Sequence, residues 1–169
     1  MRTQVTAYTD GSCKGNPGPG GYAVILTFGD REKIIRGGVA ETTNNRMELT
    51  AVIEAVKALR KPCELTIVTD SKYVMMTKEK WRKMQSRTHV PNWDLWQCLL
   101  DESKKGNHIL HFQHIAGHSG HTYNERCDKI AKEQAVKYSH VAAGTNTLTI
   151  QEALAVLKER FADANERSK

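Results

Sequence analysis

The chain has 169 residues, 39% of them hydrophobic, enough for one well-formed core and too few for two full-sized domains. Its 25 Lys and Arg outnumber its 19 Asp and Glu, and the resulting +6 charge suits a polyanionic partner. Four scattered cysteines (Cys13, Cys63, Cys98, Cys127) form no C-x-x-C pair, which argues against a disulfide framework or zinc ribbon, and no apolar run approaches the length of a membrane span.

In chain order, Gln4–Thr9 is expected as a first strand, ending in Asp10 and a glycine-rich stretch, Gly11–Gly21. Strands at Tyr22–Phe28 and Lys33–Val39 follow, joined by a hairpin-like link, Gly29-Asp30-Arg31. From Thr43 the period becomes helical, with Leu49, Val52, Ile53, Val56 and Leu59 on one stripe until Lys61-Pro62. Glu64–Thr69 is a short β-rich run, and a basic helical segment starts near Ser71. A loop through Pro91 leads to a helix at Asn92–Leu100, a strand at His108–Ile115, and a helix at Thr122–Tyr138 with a Thr122-x-x-Glu125 capping box.

Three strands in a meander followed by strand–helix alternation predict an α/β fold, a mixed sheet with helices on its faces. The folded body is expected to span residues 1–138, followed by a linker at 139–148 containing Gly144, Thr145 and Asn146. Residues 149–169 form an extra amphipathic helix in this reading, with Ile150, Ala153, Leu154, Leu157 and Phe161 on one side. From Ser139 onward four bases balance four acids, so the excess charge belongs to the body. The N-terminus lacks an apolar secretory core, and the expected compartment is the cytoplasm.

Thr-Ala-Tyr-Thr-Asp10 and Thr-Ile-Val-Thr-Asp70 each place an aspartate just past an apolar strand. If the two strands lie parallel and adjacent, both carboxylates meet at the sheet edge where α/β proteins bind ligands. The competing reading is two unrelated turn or cap aspartates. On the following helices, Glu48 sits roughly 80° and Asp128 roughly 100° from the centre of its apolar stripe. Helix geometry alone leaves both open between a site and a solvated surface. Four acids converging in a basic protein repel one another unless cations sit among them, and all-oxygen donors select hard ions such as Mg²⁺ or Mn²⁺. Two such ions can promote phosphodiester hydrolysis.

Five motifs carry a resemblance, in order and across nearly all of residues 1–138: Tyr-Thr-Asp10-Gly-Ser-Cys-x-Gly-Asn16-Pro-Gly-Pro-Gly-Gly-Tyr22, Thr-Thr-Asn-Asn45-Arg-Met-Glu48-Leu, Thr-Asp70-Ser-x-Tyr-Val, Asp94-Leu-Trp96, and Gly-His118-x-Gly-His121-x-x-Asn124-Glu-Arg-Cys-Asp128. The set resembles the bacterial type 1 ribonucleases H. That resemblance implies a five-stranded mixed sheet, three strands antiparallel and two parallel, flanked by helices. It implies an endonuclease that cuts the RNA strand of RNA–DNA hybrids, leaving 5′-phosphate and 3′-hydroxyl ends, and working as a monomer. Asp10, Glu48, Asp70 and Asp128 would hold two Mg²⁺ ions, with Mn²⁺ able to substitute. His118 would be a mobile proton carrier, a task that suits its titration range.

By the same resemblance Gly11, Cys13, Asn16, Asn44, Asn45 and Glu48 would lie along the minor groove, where 2′-hydroxyls mark RNA. Thr43 and Asn16 would hold a DNA-strand phosphate, while Thr43 also reads as a helix cap. Lys72 and Trp81 belong to a basic strip, Lys72–His89, whose one acid is Glu79, and which suits the DNA backbone. Three features depart from the family pattern. The Trp/Lys-rich protrusion is shortened, Lys72 stands where Gln is usual, and Ala116 stands where Lys often precedes Gly-His.

Gly18-Pro-Gly-Gly-Tyr-Ala23 fits G-x-G-x-x-A, but a strand follows it where a nucleotide site needs a helix. The histidines at 108, 111, 114, 118 and 121 could suggest zinc, but His108–His114 would alternate faces of a strand and no thiol joins them, which disfavours it. A non-catalytic hybrid- or duplex-binding module would tolerate loss of an acid, yet all four are present. A related-fold DNA nuclease would share the acids but lack the asparagine set.

Overall fold

The structure, a computed structural model, describes residues 2–76, 90–117 and 119–142. Five strands form one sheet in the order β3-β2-β1-β4-β5: β1 Thr3–Cys13, β2 Gly18–Phe28, β3 Arg31–Thr42, β4 Cys63–Thr69 and β5 Ile109–His114. The first three strands pair antiparallel, and β4 pairs parallel to both β1 and β5. The expected mixed α/β sheet is therefore the observed one. Three helices complete the described fold: α1 Asn44–Lys57, α2 Trp93–Lys105 and α3 Thr122–Ala142, with a further helical stretch at 72–76.

Strand alternation sorts the core onto two faces. Ala7, Val24, Leu26, Leu65 and Ile67 meet Leu49, Val52 and Val56 of α1, with Trp96 and Leu99 of α2 closing the same cluster. On the opposite face Ala23 and Ile25 pack against Cys127 and Ala131 of α3. Each fully buried Leu, Ile or Val contributes about 1.5–3 kcal/mol of transfer free energy, so the larger cluster carries most of the stability. Helix α1 begins where Thr43, in extended conformation, accepts a hydrogen bond from the Arg46 N–H at 3.4 Å.

The glycine-rich stretch is shorter as a loop than its composition predicts. Gly11, Ser12 and Cys13 pair with Tyr22, Gly21 and Gly20, so only Lys14–Pro17 remain outside the strands. Pairing satisfies backbone groups that the closing helices would otherwise bury unpaired. A Cβ on Gly11 would collide with the backbone of Met47 and Glu48, and one on Gly21 with Ala131 and Ala135. These two glycines let α1 and α3 press onto opposite faces of the sheet beside Asp10.

Other boundaries also shift. The hairpin turn is the two-residue Gly29-Asp30, because Phe28 pairs with Arg31. Glu125 accepts from the Gly120 N–H at 3.1 Å, outside the capping box expected with Thr122; His121, not Thr122, precedes the first helical residue. The sequence pattern alone places Tyr123, Cys127, Ile130, Ala131, Gln134 and Tyr138 on the apolar stripe of α3; Cys127 and Ala131 are buried as that implies, joined by Asn124 and Ala135. Tyr123 instead stacks on Tyr8 at 4.6 Å between ring centroids. Helix α3 also runs four residues past Tyr138, into residues assigned to the linker, since no Gly or Pro intervenes before Gly144. Trp81, His118 and the helix expected at 149–169 lie outside the described residues.

Candidate active site

The two parallel strands β1 and β4 run out at the same sheet edge. Asp10 lies near the end of β1, and Asp70 is the first residue beyond β4. Glu48 reaches that edge from the second turn of α1, whose backbone rests against Gly11. One carboxylate oxygen from each of Asp10, Glu48 and Asp70 lies within 4.8 Å of the other two. Asp10 and Glu48 are buried, and Asp70 is half-buried.

This arrangement is costly for the protein alone. Burial first, then the charges of Asp70 and Asp128, push the Asp10 carboxyl up to about 8, against weaker opposition from the Gly11 N–H and Lys132. Glu48 is raised well above the ordinary carboxylate range by burial, then by Asp10 and Asp70, while the Gly11 N–H and the Asn44 side-chain amide pull it back. Its Oε2 is buried with no hydrogen-bond partner. Clustered, desolvated, oxygen-only donors with an orphaned lone pair fit a hard divalent cation, which would remove both the repulsion and the missing contact.

Asp128, on α3, is close enough for its charge to raise Asp10, but it is not one of the three that converge. Its Oδ2 takes an ion pair from Lys132, one helical turn on, at 2.7 Å.

Comparison with protein families matches the RNase H family over residues 2–136. The chain belongs to the ribonuclease H family. It is similar to the ribonuclease H of Neisseria gonorrhoeae, 46% identical over 147 residues, covering 82% of this chain and all of that one. It is 49% identical over 140 residues to the ribonuclease H of Nitratidesulfovibrio vulgaris strain DP4, covering 78% of this chain and 88% of that one. Among solved structures it resembles LC9-RNase H1, described as a type 1 RNase H with the type 2 active-site motif. That match has a TM-score of 0.69 at 25% identity, covering 91% of this chain and 85% of that one. The chain is therefore a nuclease of the bacterial ribonuclease H type, and no helix among its described residues is long and apolar enough to cross a membrane.

Of the residues expected along the groove, Gly11 and Asn44 act directly on Glu48. Asn16 Oδ1 accepts from the Asn44 N–H at 3.1 Å, which joins the turn at 14–17 to the start of α1. With the Asn44 amide acting on Glu48, a polar chain runs from the exposed turn to the buried site. The Cys13 thiol bonds the carbonyls of Gly18 and Thr42, each at 3.4 Å, and burial pushes it up from its ordinary range. Thr43 caps α1, and Asn45 and Lys72 are exposed.

Two residues with no role in the sequence reading stand next to the carboxylates. Asn124 donates to Asp70 Oδ2 at 3.1 Å, and Lys132 holds Asp128. Asn124 belongs to the motif that runs from Gly117 to Asp128, and Lys132 stands at i+4 from an acid, a spacing that signals a helical ion pair.

Proposed function

We propose that this enzyme hydrolyses the RNA strand of RNA–DNA hybrids at the Asp10–Glu48–Asp70 centre, using two Mg²⁺ ions, the second shared with Asp128. The observation that carries this reading is the buried, unpartnered oxygen of Glu48 converging with Asp10 and Asp70. Bound there, divalent ions would supply positive charge for the attacking and leaving oxygens of a phosphodiester and make water a better nucleophile.

The chain's own residues do the rest. Asp10 and Glu48, fixed by β1 and by the contact of α1 with Gly11, form the rigid side of the site. Asp70 is oriented by Asn124 and faces Gly117, where a Cβ would lie 2.8 Å from its Oδ2. His118, the next residue, delivers a proton to the leaving 3′-oxygen as the bond from phosphorus breaks. Water has then added to phosphorus, and the ends are 5′-phosphate and 3′-hydroxyl. Gly11, Cys13, Asn16, Asn44 and Asn45 read the minor groove of the hybrid, in which 2′-hydroxyls distinguish the RNA strand. Thr43 and Asn16 hold a DNA phosphate, and Lys72 and Trp81 meet the DNA backbone. In this reading the enzyme is a cytoplasmic monomer.

The test is cleavage of an end-labelled hybrid by the full chain with Mg²⁺, with analysis of the product ends. Fragments bearing 5′-phosphate should come from the RNA strand alone, and Asp70→Asn should abolish them. Equal cutting of a DNA duplex, or hybrid cutting that persists in EDTA, would sink the proposal.

A further inference from the structure

The ion pair between Lys132 Nζ and Asp128 Oδ2, at 2.7 Å, is the one contact by which a basic side chain touches any of the four carboxylates among the described residues. Lys132 and Asp128 lie one turn apart on α3, so the pair forms without help from the rest of the fold. The Lys132 side chain is exposed, and an exposed pair of this kind adds little to stability. Its placement matters more. Asp128 is the acid left outside the 4.8 Å triplet, and the charge of Lys132 also reaches Asp10. A monovalent cation therefore already neutralises the side of the site that a second divalent ion would use.

We propose that Lys132 is a built-in counterion that competes with the second cation for Asp128. The substrate-free enzyme then loads the Asp10–Glu48–Asp70 position first and the Asp128 side only as Lys132 is displaced. This rests on the two-cation reading above and assigns Lys132 as a positioning residue for it. A +1 and a +2 charge about 5 Å apart in a water-like medium repel enough to weaken binding roughly tenfold at low ionic strength. Salt shrinks the effect, because the Debye length falls to about 10 Å at 0.1 M. Losing the ammonium should therefore tighten the second event more than the first, since Lys132 is paired with Asp128 and only reaches Asp10 through space.

The experiment is calorimetric titration of Mg²⁺, with Mn²⁺ as a paramagnetic probe, into the full-length, substrate-free protein. Wild type is compared with Lys132→Met, Lys132→Arg, Asp70→Asn, and Lys132→Met on an Asp128→Asn background. The weaker binding event should become about tenfold tighter, or first become visible, in Lys132→Met at low salt. Lys132→Arg should stay within about twofold of wild type, since it keeps the charge. On the Asp128→Asn background Lys132→Met should change the affinity little. Thermal unfolding run alongside confirms that each variant folds. If Asp70→Asn loses cation binding while Lys132→Met binds as wild type does, or more weakly, the counterion role is overturned and the carboxylate centre stands. If Asp70→Asn binds cations as well as wild type, the carboxylate reading itself fails.

Discussion

Asn124 Nδ2 donates to Asp70 Oδ2 at 3.1 Å, joining α3 to the first residue beyond β4. Asn124 is 2% exposed, and its Oδ1 has no partner, so the side chain has no role in solvation and one clear bond. It fixes one oxygen of Asp70 at the edge of the centre. Asn124→Ala is expected to lower kcat/KM for hybrid cleavage roughly 10–100-fold, as losing an orienting partner of a metal ligand does. Its cost in stability should be near 1–2 kcal/mol. Steady-state kinetics with thermal unfolding measured on the same samples separates the two. Activity unchanged in a folded variant would remove Asn124 from the site.

Arg46 binds both oxygens of Asp94, and its Nη1 also reaches Asn92 Oδ1 at 3.3 Å. Asn92 Nδ2 in turn donates to the Tyr73 hydroxyl, which donates to the Pro91 carbonyl. The network ties the first turn of α1 to Tyr73, at the start of the basic strip, and to Pro91, Asn92 and Asp94 just beyond it. The forked geometry needs Arg, and Lys cannot reproduce it. Arg46→Lys is expected to raise KM for a hybrid several-fold while kcat stays within about twofold. Because the pair is largely exposed, the melting shift should correspond to about 1 kcal/mol or less. An unchanged KM would show that the strip is positioned independently of Arg46.

The sheet was legible because its strands alternate and its helices carry clear stripes. The Asp10/Asp70 echo works for the same reason, since β1 and β4 pair in parallel up to Tyr8 and Val68, two residues before each aspartate. Glu48 and Asp128 were less legible, because helix angle cannot say what faces a stripe's edge. What settles Glu48 is Gly11, whose missing side chain lets α1 descend onto β1. On α3 the pattern locates Cys127 and Ala131 in the core but misses Asn124, because Tyr123 looks apolar yet stacks on Tyr8, while polar Asn124 is buried beside Asp70. Side-chain partners across elements decide both, and a single element's period does not contain them.

Gly11 and Gly29 make a controlled pair. A Cβ at Gly11 has no room against α1, whereas Gly29, with φ of 53°, has nothing within 4 Å. Gly11→Ala must push α1 away, with an expected cost of about 1–3 kcal/mol or more and a loss of cation affinity as Glu48 retreats. Gly29→Ala meets only backbone strain in the left-handed region, roughly 1 kcal/mol, and should leave cation binding intact. Chemical denaturation together with Mg²⁺ titration checks both. Equal losses in the two variants would rule out the close approach as the cause.

The carboxylate centre should also make the metal-free protein sensitive to pH in an unusual direction. Unfolded, Asp10 releases its proton near 3.8, while in the fold it keeps it up to about 8. Between those values the unfolded chain binds fewer protons at this position, so the contribution of Asp10 to stability is most favourable below about 4 and is lost as pH rises toward 8. The slope from one such group is at most about 1.4 kcal/mol per pH unit, and Glu48 shifts in the same direction. In EDTA stability should therefore fall between pH 5 and 8, by about 1–3 kcal/mol in total once compensating relaxation is allowed for, and the melting temperature should drop with it. Asp10→Asn should flatten that slope and raise the melting temperature at pH 8. Added Mg²⁺ should restore wild type and do little for Asp10→Asn, because the ion binds only the deprotonated cluster. A flat or rising profile in EDTA would mean that the three carboxyls share their charge without strain, and that the fold does not need the ion to hold them together.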